Sequence, residues 1–285
     1  RRNIQLLKKS TDDGLLHAGR DYRASGIPAC IHHTFGHAKA LTAFLELPPV
    51  KTQQYKALPR DNAYGVKYFR DIRTWLVAEG PWRSTCTGFD AEYKVKGTHP
   101  MGGAVSLLWH EQAGPVFAAT TNRYALIEAP NMQMVQYGTI YSNLDDLDTD
   151  ITYTKEKDTH RFHVNTHLVD ADQQTPIQGA IPVTLDYVYS QQGLSIEMEH
   201  CPLTACLVLP VIAAPSEVVD ITPEGMRLQK KDGVLEVVCV NGRMKVAPTD
   251  KDGRIFNPVP GFSFIPLQVF PDSPDKKIQV KIMYN

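Results

Sequence analysis

The sequence predicts a mainly β protein, a large antiparallel β-sandwich preceded by a short α-helical segment, and three observations lead there. From Gly65 onward, runs of aromatic and β-branched residues return roughly every ten positions with no helical period between them. Asp232-Gly233, Asn241-Gly242 and Asp252-Gly253 separate such runs with residues that tolerate positive φ. Ahead of Pro48-Pro49 the apolar period is instead helical. Short strands without intervening helices must bury their apolar faces on one another, which makes a sandwich.

Residues 1–30 read as a helical stub with a loop, Ile4, Leu6 and Leu7 forming one face and Asp12-Asp13-Gly14 a break. A helix follows over Thr34–Leu47, where Phe35, Ala38, Leu41, Phe44 and Leu45 recur at three- and four-residue steps and Thr34 serves as N-cap. That stripe needs a partner, supplied either by the β region or by helices beyond this chain.

Strands are expected at Val66–Val77, Trp82–Thr87, Ala91–Val95, Ala104–Trp109, Val116–Thr121 and Arg123–Glu128. The pattern resumes at Ile151–Tyr153, Thr159–Val169, Pro182–Tyr189, Leu194–Glu199, Ala205–Ile212, Val234–Val240, Phe262–Phe270 and Lys277–Tyr284. In the last, Ile278, Val280 and Ile282 alternate with Lys277, Gln279 and Lys281, as a strand with one wet face should. Pro258–Pro266 reads as an edge or connection, because proline lacks the ladder donor. The chain divides into a helical segment, 1–60, and a β-sandwich domain, 61–285.

Composition bounds the function. Thirty basic against thirty-one acidic residues, without a run of either sign, leave no electrostatic footprint for nucleic acid or an anionic membrane. No apolar run approaches the roughly 20 residues that span a bilayer, and Arg1–Ser10 lacks a signal-peptide core. The chain begins RRNIQ, without an initiator methionine, as a processed form or the C-terminal part of a longer protein would. Cys30, Cys86, Cys201, Cys206 and Cys239 are scattered without C-x-x-C spacing, and most are read as buried free thiols.

Four stretches carry candidate chemistry. His32 and His33 stand just ahead of the predicted helix, where backbone N–H groups favour anions and imidazole titrates near neutrality, and His37 lies one turn on. Tyr22 and Arg23 put a phenol and a guanidinium in one loop, suited to proton transfer and bidentate carboxylate binding. In Gly97–Gly114, His99 precedes a Gly102-Gly103 pair whose backbone passes close to something before entering the core. His99 and His110, about 35 Å apart along an extended chain, do not share a site through that strand. His160, His163 and His167 cluster in DTHRFHVNTHLVD, where on a strand Arg161, His163, Asn165 and His167 face one way and Phe162, Val164 and Leu168 the other. His163 and His167 are separated by about 13 Å of strand rise, too far to share a metal.

A helix-ending segment followed by a long antiparallel region, together with HHTFGHAKAL and the H-x-x-x-G-x-x-x-x-x-W run from His99, resembles the heparinase II/III-like polysaccharide lyases. The resemblance implies an α/α toroid joined to a β-sandwich, of which this chain would hold the last toroid helix and the sandwich. It implies cleavage of an acidic, uronate-containing, glycosaminoglycan-like polysaccharide by β-elimination, in the periplasm or outside the cell. In that chemistry His32 or His33 abstracts the proton or neutralises the carboxylate, and Tyr22 acts as acid and base. Arg23, His37 and His99 hold the sugar. The family's H-x-H-x-D-x-G-x-F pattern, laid on Gly97–Val105, keeps His99 and Gly103 alone, so no cofactor and no metal ligand set is predicted. The isolated chain is expected to be weakly active or inactive, and oligomeric state is left open.

Two other functions compete. A non-catalytic glycan-binding or structural sandwich would use Trp75, Trp82 and Trp109 for stacking or core, and a sugar hydrolase or isomerase would use Asp90 and Glu92.

Overall fold

The computed structural model describes residues 11–12, 15–16, 22, 25–28, 31–47, 61–88, 100–120, 126–199, 202–249, 252–258, 261–273 and 277–285. Helix α1 spans Ile31–Glu46 and lies beside the short pair β1 (Thr11–Asp12) and β2 (Leu15–Leu16). It starts three residues before the predicted Thr34 cap, since Ile31, His32 and His33 carry nothing that breaks a helix. The two histidines therefore belong to its first turn rather than to the loop before it.

A five-stranded antiparallel sheet comes next: β3 (Gly65–Phe69), β4 (Thr74–Glu79), β5 (Trp82–Thr87), β6 (Ala104–His110) and β7 (Gly114–Ala118), neighbours in chain order. The single strand expected at Val66–Val77 is this β3–β4 hairpin. Its turn contains neither glycine nor proline; Arg73 takes φ 40°, its N–H donates to Arg70 O (3.2 Å), and its guanidinium donates to Thr149 O (2.5 Å).

The chain then runs through β8 (Asn131–Gln136), β9 (Thr139–Ser142), β10 (Asp150–Glu156), β11 (Thr159–Leu168), β12 (Ile181–Ser190), β13 (Gly193–Glu199) and β14 (Ala205–Ile212). It ends with β15 (Val219–Thr222), β16 (Gly225–Lys230), β17 (Gly233–Asn241), β18 (Arg243–Val246), β19 (Ile255–Asn257), β20 (Phe262–Phe270) and β21 (Ile278–Tyr284). An eight-stranded sheet has the order β10-β11-β12-β13-β21-β17-β16-β15. A six-stranded sheet runs β18-β20-β14-β8-β9, with β19 also paired to β20.

One apolar core draws on all three large sheets, from Trp75, Trp82 and Phe117 through Phe162, Tyr187 and Tyr189 to Leu209, Leu267 and Val280. A smaller cluster of Ile127, Ile212 and Phe264 lies apart from it, and every residue of β14 is buried. The mainly β antiparallel architecture is as predicted, and residues 126–128 of the expected Arg123–Glu128 strand are turn and bend. Ala91–Val95 lies outside the described residues.

The proline-rich stretch departs from expectation too. Pro266 sits inside β20, a strand paired on both sides. It faces Pro210 of β14, and Pro266 O accepts from Ala247 N (2.8 Å), one residue past the end of β18. The missing donor of Pro266 therefore points beyond the β18 ladder, and that of Pro210 beyond the Ala205–Val208 ladder with β8.

A polar knot over Ser142–Thr149 ties the sheets together. Asn143 Nδ2 donates to Gly102 O (2.9 Å), Asn143 Oδ1 accepts from Met132 N (2.8 Å), and Met101 N donates to Leu144 O (2.9 Å). The Gly102-Gly103 pair makes the close approach its sequence predicts: a Cβ at Gly102 would stand 1.5 Å from Asn143 O, and one at Gly103 2.2 Å from Val164.

Candidate functional site

The N-terminal candidates are dispersed. His32 and His37 are exposed on α1, and His33 lies in its first turn. The side chain of His33, and Arg23, Asp90, Glu92 and His99 altogether, fall outside the described residues. Tyr22 is half-buried; its O–H donates to Pro258 O, and its ring meets Phe256 edge-on at 5.4 Å. The phenol anchors the N-terminal segment on β19, and among the described residues no contact joins it to His32 or His37.

The β region holds a denser set of titratable groups, on two faces of β11 as strand alternation dictates. His160 is buried on the core side. Its Nε2 lies 3.1 Å from Glu79 Oε2 on β4, and its Nδ1 lies 2.8 Å from Tyr153 Oη on β10. A carboxylate can only accept, so Nε2 carries the hydrogen, and in the neutral ring Nδ1 accepts the Tyr153 O–H. Tyr153 also stacks on His160 (5.9 Å) and leans on Phe162 (5.2 Å), and burial pushes its phenol above the usual tyrosine range. This Tyr–His–Glu relay crosses from the eight-stranded to the five-stranded sheet, with Tyr153 half-buried at the rim.

The opposite face is wet. His163 Nδ1 and Arg161 Nη1 converge on Asp186 Oδ1 at 3.2 and 3.4 Å, and Gln279 donates to Glu197 (2.7 Å) in the same cross-strand row. His167 Nδ1 meets Asp146 Oδ2 at 3.3 Å; that oxygen also takes Thr166 Oγ1 and the His167 N–H, both at 2.7 Å. Among the described residues no group of three or more His, Cys, Asp and Glu is placed to hold a metal ion.

His110 is a core residue. It lies between Trp82 (4.5 Å) and Tyr284 (4.4 Å), and its Nδ1 accepts the backbone N–H groups of Gln112 and Ala113. Burial lowers its pKa, against a smaller opposing pull from Glu111. Of the three described thiols, burial pushes Cys86 and Cys206 up to about 12 and Cys239 to about 11, which leaves them without nucleophilic thiolate. Trp75 and Trp82 fill the core, whereas Trp109 is half-buried on the outer face of the five-stranded sheet.

Sequence reasoning marked His160 but not its partners. Glu79 and Tyr153 come from strands 81 and 7 residues away, joined by sheet packing that periodicity does not encode. The parity of DITYTKE does put Tyr153 on the side of Ile151, and that signal was available.

A family model described as the ulvan lyase C-terminal domain matches residues 66–285, and one described as the ulvan lyase N-terminal domain matches residues 1–61. The chain is 30% identical over 294 aligned residues to a broad-specificity ulvan lyase of Formosa agariphila, covering 94% of this chain and 45% of that protein. It thus spans under half the length of that relative. A putative aldose 1-epimerase from Escherichia coli aligns over 74% of this chain and 98% of its own, with 9% identity and a TM-score of 0.41, a likeness too slight to carry an argument. The match over Val66–Asn285, most of the chain, places it in the ulvan lyase family of polysaccharide lyases through the C-terminal domain that defines the β region.

Proposed function

We propose that this chain is the C-terminal portion of a polysaccharide lyase that cleaves an acidic, uronate-containing polysaccharide by β-elimination. The observation that carries this reading is the ulvan lyase match over both segments, 1–61 and 66–285. Ulvan, a sulfated polysaccharide with uronic acids, is the substrate class we assign. Helix α1 fits the same reading as the last helix of a larger helical domain, because its apolar stripe is left open to solvent. The toroid arrangement of the heparinase II/III-like lyases and a location in the periplasm or outside the cell are part of the proposal.

β-Elimination needs a base for the proton α to the uronate carboxyl group, positive charge or hydrogen bonds for the carboxylate, and an acid for the departing oxygen. In our primary assignment His32 or His33 abstracts or neutralises, Tyr22 is the acid, and Arg23, His37 and His99 hold the sugar. In the full-length protein, substituting His32→Ala, His33→Ala and Tyr22→Phe one at a time should each cut unsaturated product, read as near-ultraviolet absorbance, by about 100-fold or more. Wild-type rates in all three would refute the assignment.

A second assignment has its own observation, the Tyr153–His160–Glu79 relay. A phenol with a raised pKa stays protonated at neutral pH, which suits the proton donor to a leaving oxygen better than the base. Tyr153→Phe keeps the ring packing and removes the proton. A large loss of product there, with little loss in Tyr22→Phe, would move the acid to the β domain. A glycan-binding domain without catalysis is the remaining reading, and retention of the polymer with no product on long incubation would favour it.

A further inference from the structure

The five-stranded sheet carries a cleft on the face turned away from the core. Trp75, Val77, Trp82, Ser84 and Cys86 point inward along β4 and β5, so Thr74, Leu76, Thr85 and Thr87 point out. A bulge between Thr85 and Cys86, against Leu107 and Val105, sets Ser106 between the two threonines. Its Oγ lies 2.6 Å from Thr85 Oγ1 and 2.9 Å from Thr87 Oγ1. Thr74, Thr87, Ser106, Leu107, Ala118 and Pro100 line a cleft of about 360 Å3, at the small end of the range for ligand pockets.

Three hydroxyls share two contacts, so three O–H hydrogens serve two bonds and one donor remains to point outward with several free lone pairs. Beside Thr74, its cross-strand partner Phe69 leaves 47% of its surface in water. In the next row Lys67 pairs with Leu76, exposed, with its Nζ 4.2 Å from the Tyr64 ring centre. Among the described residues that line the cleft none is charged. Donor and acceptor hydroxyls over an apolar floor, flanked by an open aromatic ring, match a pyranose, which offers hydroxyl edges and an apolar C–H face. The hydroxyl and apolar side chains that line it suit an uncharged sugar, and Lys67 stands where an acidic neighbour in the same polymer would need a cation.

We propose that this outer face, on the side of β4 away from the Tyr153–His160–Glu79 relay, is a polysaccharide-binding site, the cleft holding a neutral sugar residue and Phe69 stacking on an adjoining one. The identity of the polymer rests on the lyase reading above. The test is native-gel retardation by ulvan cast into the gel, with the 285-residue chain as wild type, Phe69→Ala and Thr87→Val, and with Lys281→Ala on the far sheet as control. Unfolding temperatures measured in parallel show that the variants fold. Wild type and Lys281→Ala should be retarded alike, with Phe69→Ala and Thr87→Val each about tenfold weaker. No retardation of wild type, or equal retardation of all four proteins, overturns the site. A wild-type dimer in size-exclusion chromatography that Phe69→Ala abolishes also overturns it, because a second copy would then be the occupant. Near-ultraviolet product readings on the longer protein that carries the rest of the helical domain keep the two readings apart. Retardation of the chain that depends on Phe69, with no product from that longer protein, supports the site while the lyase reading fails.

Discussion

Helix α1, apolar at three- and four-residue steps, and strand β14, apolar throughout, end in opposite environments. All eight residues of β14 are buried, whereas Ile31, Phe35, Phe44 and Leu45 on α1 are 53–81% exposed. The helix has no acidic residue in its first turn and no basic one in its last, so neither end complements its dipole. At 16 residues it is near the length below which isolated helices are marginal. An apolar period states which face seeks burial; it does not state whether the partner is in the same chain. The β region encodes its own partners, strand by strand, whereas among the described residues the apolar stripe of α1 stays open.

The sharpest way to break this contrast is one substitution made in both regions. Gly102→Ala adds a Cβ 1.5 Å from Asn143 O at φ 63°, inside the knot that joins the sheets. It should cost on the order of 4 kcal/mol or more and leave little folded protein in denaturant titration. Near-wild-type stability would show that the Met101–Leu144 approach is not rigid. Leu209→Ala in β14 comes next. Leu209 is fully buried, and the cavity should cost about 3 kcal/mol, seen as a lower urea midpoint at unchanged slope.

Much of the β architecture was legible because its signals are local. The structure bounds Trp82–Thr87 and Ala205–Ile212 at the same residues, and Thr159–Val169 and Leu194–Glu199 within one residue. What escaped notice was either short or marked by another chemistry. The β3–β4 turn relies on Arg73 at positive φ, held by a distant carbonyl, and β8 and β9 meet across Tyr137-Gly138 in a stretch rich in methionine and glutamine. Asn241-Gly242 looks like a hairpin turn, but it carries the chain from β17 in one sheet to β18 in another, which no local rule reveals. The site was less legible than the fold. The parity that puts His163 and His167 on the wet face and His160 in the core is in the sequence, while Glu79 reaches His160 through the packing of one sheet on another and Asp186 reaches His163 through strand pairing.

A smaller effect separates the buried and exposed histidines. The folded-state pKa of His110 lies below its unfolded value near 6.5, through burial. Above pH 6.5 the ring is neutral in both states and its packing counts in full. As pH falls, the unfolded chain takes up a proton that the folded chain refuses, so stability drops from there down through the folded-state pKa. Thermal unfolding between pH 7.5 and 5 should show this fall, and His110→Phe should flatten it. A slope unchanged in that variant would place the titrating group elsewhere.

The smallest expected effects lie on the helix, and they decide what α1 is. Gly36→Ala meets no atom within 4 Å, so it should stabilise the helix by about 0.5–1 kcal/mol through backbone entropy, the reverse of the same change at Gly102. Phe35→Ser removes an apolar group that is 72% exposed and should shift the stability of this chain by no more than about 0.5 kcal/mol. The same change in a protein carrying the rest of the helical domain should cost several times more, because there the stripe would be covered. Equal, small losses in both settings would mean that nothing covers α1 in the larger protein, and its period would then mark only a solvent-facing helix.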